Sequence, residues 1–312
     1  LDEWRLISGA LADISEVLEV FRPRRHTRKI TVFGSARTVQ SDPSYALAEE
    51  LARYAVAAGF DVMTGAGGGI MEAANSGAGC EASIGLNVDL PFEQHANRFV
   101  SSCDGRLLHF RYFFTRKLFF LRESDALVVM PGGFGTFDEL FESLTLIQTG
   151  RTPPIPLVML APRGNRFWPE WLQNIQSDLA SRALISPEDT SLLKQASTAA
   201  EAMQHICHFY RVFHTAQFAE DRMELLLHSE IPTGTVAELN REFDNLVDEG
   251  SLSQGESCDS NGILRPCLRF HLDRRRVGLL YQLIDRLNDL PLEVAPAIEQ
   301  PGERIRSALS CS

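Results

Sequence analysis

Short apolar runs alternate with stretches of helical spacing through the middle of the chain, and this alternation limits the folds open to it. KITVFG, FDVMTG, ASIGLNV, DALVVM and IPLVML read as strands. Between and after them lie helical patterns, among them segments at about 107–123, 136–149 and 168–182. Strands that alternate with helices, and runs as continuously apolar as DALVVM, predict a parallel sheet buried on both faces. The fold class expected is therefore α/β: a Rossmann-like three-layer domain over residues 28–213. Residues 1–27 are expected as an amphipathic N-terminal helix, with Leu6, Ile7, Leu11, Ile14, Leu18 and Phe21 near helical spacing, followed by a basic linker. Residues 214–312 are expected as a small, mainly helical C-terminal region, from the patterns FAEDRMELLLHSE, TVAELNREFDNLVDEG and VGLLYQLIDRLNDL.

The sharpest local signal is PGGFGTFDE at 131–139, directly after DALVVM and directly before a helical pattern. In open α/β sheets, ligands bind beyond the carboxyl ends of strands, at such strand-to-helix junctions. Gly132, Gly133 and Gly135 let the backbone turn sharply and approach a ligand closely, because no Cβ intervenes. The following helix start offers unpaired N–H groups and a partial positive charge to an anion, and the Thr136 hydroxyl can cap the helix or donate to phosphate. A phosphate site is the natural reading, against a turn that uses glycine for geometry alone.

A second cluster, TGAGGGIME at 64–72, occupies the equivalent place after another strand, so Gly67, Gly68 and Gly69 are candidates for the same ligand. It fails as a dinucleotide fingerprint because Ile70 stands where the third glycine belongs, although Asp89 lies at a suitable distance for a ribose contact. Gly34 and Ser35 open a third loop after the first strand, where Ser35 either donates to phosphate or ends the strand. Residues 105–124 read as an aromatic helix with Leu107, Phe110, Phe114, Leu118 and Leu121 on one face. Its phenylalanines 113, 114, 119 and 120 are expected in a core or a subunit interface. Arg116 interrupts this run, and an arginine among aromatics is rarely buried without an anionic partner, the alternative being a solvated position.

At these residues the sequence resembles the LOG family, whose hallmark is PGGxGTxxE together with an upstream Arg-Lys pair, here Arg116-Lys117. The likeness extends over roughly 28–213 and includes GGGIMEAAN and LPFEQHAN, in the manner of the larger members. The resemblance implies a phosphoribohydrolase that splits the N-glycosidic bond of a nucleoside 5′-monophosphate, AMP or an N6-modified AMP, into free base and ribose 5-phosphate. It implies Arg116 and Glu139 as catalytic residues, and Gly34, Ser35, Gly67, Gly68, Gly69, Lys117, Gly132, Gly133, Gly135 and Thr136 as phosphate or nucleotide contacts. It also implies at least a homodimer and no metal. A carboxylate near the ribose suits the chemistry, since cleavage builds positive charge on C1′ and the ring oxygen. The other reading is a nucleotide-binding carrier of the same fold without turnover. A decarboxylase would need pyridoxal phosphate on a Schiff-base lysine with a partner for its ring nitrogen, and no such pair can be pointed to, so no cofactor is expected.

Composition bears on what remains. A net charge of −11 opposes broad attraction to nucleic acid or anionic lipid, so no nucleic-acid or membrane partner is expected. The basic runs at 22–29 and 274–276 read as solvated faces. No apolar stretch is long enough to span a bilayer, and the first residues lack a signal-peptide pattern, which points to a cytoplasmic protein. The cysteines at 80, 103, 207, 258, 267 and 311 show no paired spacing and are expected as reduced thiols. His205, Cys207 and His208 are not expected to bind metal, because residues 205 and 207 face apart on a helix.

Overall fold

The computed structural model describes residues 2–88 and 95–292. The chain begins with α1 (Asp2–Phe21) and then alternates as expected: β1 (Lys29–Phe33), α2 (Pro43–Ala57), β2 (Asp61–Thr64), α3 (Ile70–Ala82), β3 (Ser83–Val88), α4 (Arg98–Ser101) and β4 (Leu107–Phe110). There follow α5 (Phe113–Arg122), β5 (Ala126–Val129), α6 (Phe134–Gln148), β6 (Leu157–Leu160), α7 (Phe167–Asp178), β7 (Leu193–Ala196) and α8 (Ala199–Phe209). The last elements are β8 (Phe213–Ala219), β9 (Arg222–Leu227), α9 (Thr233–Glu242), β10 (Ser253–Cys258), β11 (Leu264–Phe270) and α10 (Val277–Asn288).

The first seven strands form one sheet in the order β4-β3-β2-β1-β5-β6-β7. The pairings from β4 through to β6 are parallel. Every residue of β1, β2, β3, β5 and β6 is buried, and since successive side chains point to opposite faces, both faces of the sheet are covered. This is the α/β, Rossmann-like fold expected. The chain walks outward from β1 to β4, then returns to lay β5 against the other side of β1. That reversal makes the carboxyl ends of β1, β2 and β5 the place where such sheets open a crevice.

Two compact units emerge, one from Leu1–Phe141, Leu157–Trp168 and Gln195–Met203, the other from Glu142–Pro156, Pro169–Lys194 and Gln204–Ser312. In the second, β8 to β11 form an antiparallel sheet in the order β10-β11-β9-β8, which corrects the expectation of a mainly helical C-terminal region. FAEDRMELLLHSE is not a helix: it forms the end of β8 and all of β9, which pair as a hairpin around Glu220, a residue with φ of +57°. Within this unit the buried Asn288 accepts from the amides of Val212 and Phe213 and donates to the Phe209 carbonyl.

The aromatic segment also divides differently. Leu107–Phe110 is the edge strand β4, paired with β3, and the helix begins only at Phe113. Leu107 and Phe110 therefore share no helical face with Phe114 and Leu118. Those two are exposed along with Phe113, while Thr115, Phe119 and Phe120 turn inward. Along α1 most of the expected apolar stripe is likewise exposed (Leu6, Ile7, Leu11, Leu18), and the helix docks through Asp13, Val17 and Phe21. The Asp13 carboxylate accepts from the Arg111 amide at 3.0 Å, the Arg111 guanidinium at 2.7 Å and the Thr115 hydroxyl at 2.8 Å.

Cys80 and Cys103 form a disulfide, against the expectation that all the cysteines stay reduced. Helices α3 and α4 pack together and bring their C-terminal ends into bonding range, a proximity that a separation of 23 residues does not announce. Cys207, Cys258 and Cys267 are free, and burial pushes the Cys207 thiol up to about 11. Cys311 and Asp89 lie outside the described residues. Among those described, no helix is long and apolar enough to cross a membrane, and no group of three or more His, Cys, Asp or Glu is placed to hold a metal ion.

Candidate functional site

Three loops meet at the carboxyl ends of adjacent strands. The loop after β1 is tied to the loop after β5 by the Ser35 amide, which donates to the Pro131 carbonyl at 3.2 Å. It is tied to the loop after β2 by its own carbonyl, which accepts from the Ile70 amide at 3.0 Å. The result is a cleft of about 700 Å³, a volume suited to a small-molecule ligand. Gly34, Ser35, Ala36 and Arg37 line one side, and Gly133 through Glu139 line the other.

Glycine is used differently in each loop. A Cβ on Gly133 or Gly135 would meet nothing, so these two open the cleft to solvent where α6 starts. The Thr136 and Phe137 amides donate to the Gly133 carbonyl at 3.0 and 3.1 Å, so the amides before them, at Phe134 and Gly135, are the ones a helix start offers to an anion. A Cβ on Gly132 would lie 2.1 Å from the Thr136 hydroxyl, so Gly132 is a packing requirement behind the loop. Gly67, Gly68 and Gly69 do not line the cleft. Gly69, with φ of +62°, backs directly onto the Ser35 and Ala36 carbonyls, and Gly68 lies close to the Ala36 carbonyl. Gly68 and Gly69 support the first loop from beneath, and only Gly65 and Met71 of that segment reach the cleft.

A buried amide network holds this support in place. Asn97 donates to the carbonyls of Ala66 and Gly67 and to Asn75 Oδ1, at 3.1, 3.0 and 2.9 Å. Asn75 Oδ1 also accepts from the Thr64 hydroxyl, whose oxygen in turn accepts from the Ala66 amide. Ala66 sits at φ of +61°, a left-handed conformation that costs an alanine about 1 kcal/mol or more and persists because these bonds overdetermine it. Asn97 ends the LPFEQHAN stretch, residues 90–94 of which lie outside the described structure.

Arg116, Lys117 and Glu139 come together on α5 and α6. Glu139 is buried, with Arg116 Nη2 at 3.8 Å from one carboxylate oxygen and Lys117 Nζ at 3.3 Å from the other. Lys117 also reaches Asp138 at 2.9 Å. Lys117 does not itself line the cleft; Arg116 and Glu139 do. The Arg116 guanidinium lies 5.2 Å from the Phe113 ring and 5.4 Å from the Phe120 ring, contacts that favour the cation. Burial nevertheless pulls it below its ordinary value, against the opposing pull of Glu139 and Asp138. Its Nε is buried and has no hydrogen-bond partner among the described residues. Buried donors are normally satisfied, and at 3.8 Å Glu139 is not engaged as a fork, so this guanidinium retains capacity for a second anion.

Sequence reasoning did not single out Arg37, Phe113 or Phe134 as cleft residues. Phe134 occupies a wild-card position of the motif and is almost fully exposed. Nothing in the pattern marks such a residue, because an exposed aromatic at a helix start has no periodic signature.

Over residues 68–206 the chain matches the family described as possible lysine decarboxylase. A curated relative, the probable cytokinin riboside 5′-monophosphate phosphoribohydrolase LOGL3 of Oryza sativa subsp. japonica, is 28% identical over 174 residues, which are 54% of this chain and 77% of the relative. Among solved structures, the molybdenum cofactor carrier protein MCP from Chlamydomonas reinhardtii is similar at 23% identity and a TM-score of 0.37, with 57% of this chain and 94% of that one covered. The molybdenum cofactor binding protein from Rippkaea orientalis is similar at 21% identity and a TM-score of 0.38, over the same shares. The matched span holds Arg116, Lys117 and the whole of PGGFGTFDE, so the likeness to the LOG family takes in the residues that bring Arg116 and Glu139 together.

Proposed function

We propose that the chain is a phosphoribohydrolase that hydrolyses the N-glycosidic bond of a nucleoside 5′-monophosphate, with AMP or an N6-modified AMP as substrate. The observation that carries this reading is the apposition of Arg116 and Glu139 in a cleft that the start of α6 also lines. The activity for which the rice relative is named supports it. The 5′-phosphate rests on the amides of Gly133 to Gly135 with Ser35 and the Thr136 hydroxyl beside them, which leaves the ribose over Glu139. As the C1′–N bond breaks, its electron pair leaves with the base and positive charge grows on C1′ and the ring oxygen. The Glu139 carboxylate stabilises that charge and orients the incoming water. The water oxygen ends on C1′ and one of its protons balances the departing base. Arg116 and Lys117 fix the carboxylate between them, and Arg116 binds the substrate anion with its remaining donors.

Incubation with AMP, GMP, CMP, UMP and an N6-substituted AMP, with chromatography of the free base, tests the proposal. Release of adenine or its N6-substituted form ahead of the other bases is expected. Tight nucleotide binding with no base released from any of them would replace the enzyme by a carrier.

The protein acts in this reading as at least a homodimer. The exposed aromatic face of α5, with Phe113, Phe114 and Leu118, is the supporting feature, since large contiguous apolar surface is seldom left to water. Light scattering at micromolar concentration is expected to give twice the chain mass, and Phe114→Asp to give the single-chain mass; a monomeric wild type would refute the assembly.

A further inference from the structure

The second compact unit holds a separate cavity of about 240 Å³. Its walls come from Ile147, Pro154, Ala216, Met223, Val277 and Leu280, all apolar and drawn from helix, loop and strand alike. The loop wall is held rigidly. The Tyr281 hydroxyl donates to the Ile155 carbonyl at 2.8 Å and accepts from the Ile155 amide at 3.0 Å, pinning the segment after Pro154 to α10. Gly150 turns the chain at φ of +64°, and the rings of Pro153 and Pro154 fix φ at the next bend of the loop.

Such a space is unfavourable for water, which needs two to four polar partners, whereas Tyr281 already spends its hydroxyl on Ile155. A dry apolar cavity of roughly 150 Å³ suffices for benzene, so this one has room for a bicyclic ring system. The rim differs in character. Arg151 is exposed and lines the cavity, and among the described residues no acidic side chain lines it. Arg274 lies 4.8 Å from the ring of Phe218, another lining residue, and adds a second guanidinium beside the opening. Thr152 and Gln217 also line the pocket, but the Gln217 amide nitrogen is already given to Glu224, Ser257 and the Cys258 carbonyl, and a mainly apolar pocket with a guanidinium in its lining selects an amphipathic anion.

We infer that this cavity is a second ligand site, for a flat aromatic carboxylate of one or two rings, with the ring system against Ala216 and Leu280 and the carboxylate at Arg151. The site is independent of the nucleotide chemistry proposed above, because none of its residues lines the first cleft.

The probe is 2-naphthoate, monitored by its fluorescence on titration with the full chain, and 2-naphthamide is its uncharged counterpart. Saturable binding of one naphthoate per chain is expected. Arg151→Gln, a change at an exposed position, should weaken naphthoate about tenfold and leave the amide unchanged, the loss of one charge-assisted contact. Ala216→Phe fills the cavity and should abolish both. Absence of saturable binding to wild type overturns the site, as does binding that survives Ala216→Phe in a variant with wild-type melting. If Ala216→Phe fails to fold, Arg151→Gln decides alone: equal affinity for naphthoate overturns the assignment of the carboxylate end.

Discussion

Glu139→Gln should still bind AMP but lose about a thousandfold in base release, the scale on which removal of one preorganised electrostatic stabiliser slows an enzyme. The change is nearly isosteric. The amide keeps an oxygen for Lys117, which lies 3.3 Å from the carboxylate, and it leaves the glycine loops untouched, so the ground-state complex survives. What disappears is the negative charge beside C1′ at the moment the sugar becomes cationic. Calorimetry for binding and chromatography for free base separate the two. Turnover near the wild-type rate would remove Glu139 from the chemistry, and loss of binding together with turnover would make it a substrate anchor.

Gly69→Ala should cost about 3 kcal/mol or more of stability, a value reserved for a side chain that has no room and a backbone that resists it. The residue holds φ of +62° and ψ of −125°, a region closed to alanine. Its new Cβ would stand 2.3 Å from the Ser35 carbonyl oxygen and 2.7 Å from the Ala36 carbonyl carbon, both backbone atoms that cannot swing aside. Ser35 and Ala36 line the cleft, so whatever folds should also bind nucleotide poorly. Gly79→Ala is the control: at φ of +68° and ψ of 171° it too holds a backbone reserved for glycine, but a Cβ there meets nothing within 4 Å, so only the conformational penalty of about 1–3 kcal/mol is expected, without the clash. Equal melting curves for the two variants would show that the clash is relieved by loop movement.

The contrast between these glycines marks where sequence reasoning reaches and where it stops. PGGFGTFDE announces its own place, because a strand end, a glycine turn and a helix start are all local properties of the chain. Gly68 and Gly69 sit in an equally local pattern, yet their task is to let another loop lie on top of them, and that neighbour is set by strand order. β4 was hidden for a related reason. Its four residues run into α5 with only Arg111 and Tyr112 between, and the spacing of Leu107, Phe110 and Phe114 imitates a helix. Pairing with β3 decides the matter, and pairing is not written into either strand alone. The β8–β9 hairpin turns at Glu220, a residue that carries none of the glycine or asparagine signals of a tight turn, so its strands read as one amphipathic helix. Arg116 was legible as an oddity among aromatics. Its closeness to Glu139 depends on α5 and α6 lying side by side.

Because α6 opens in the PGGFGT loop and carries Glu139 five residues after Phe134, the proposed phosphate seat and the carboxylate stand on one rigid rod. The separation along its axis is about 7–8 Å, fixed by helical rise. In the proposed reaction the helix serves as a ruler for the reach from a 5′-phosphate to the anomeric carbon. Evolution can reshape the loops around the base to change which nucleotide is taken, but this interval admits no insertion or deletion: one extra residue would swing the carboxylate by about 100° and point it away from the sugar.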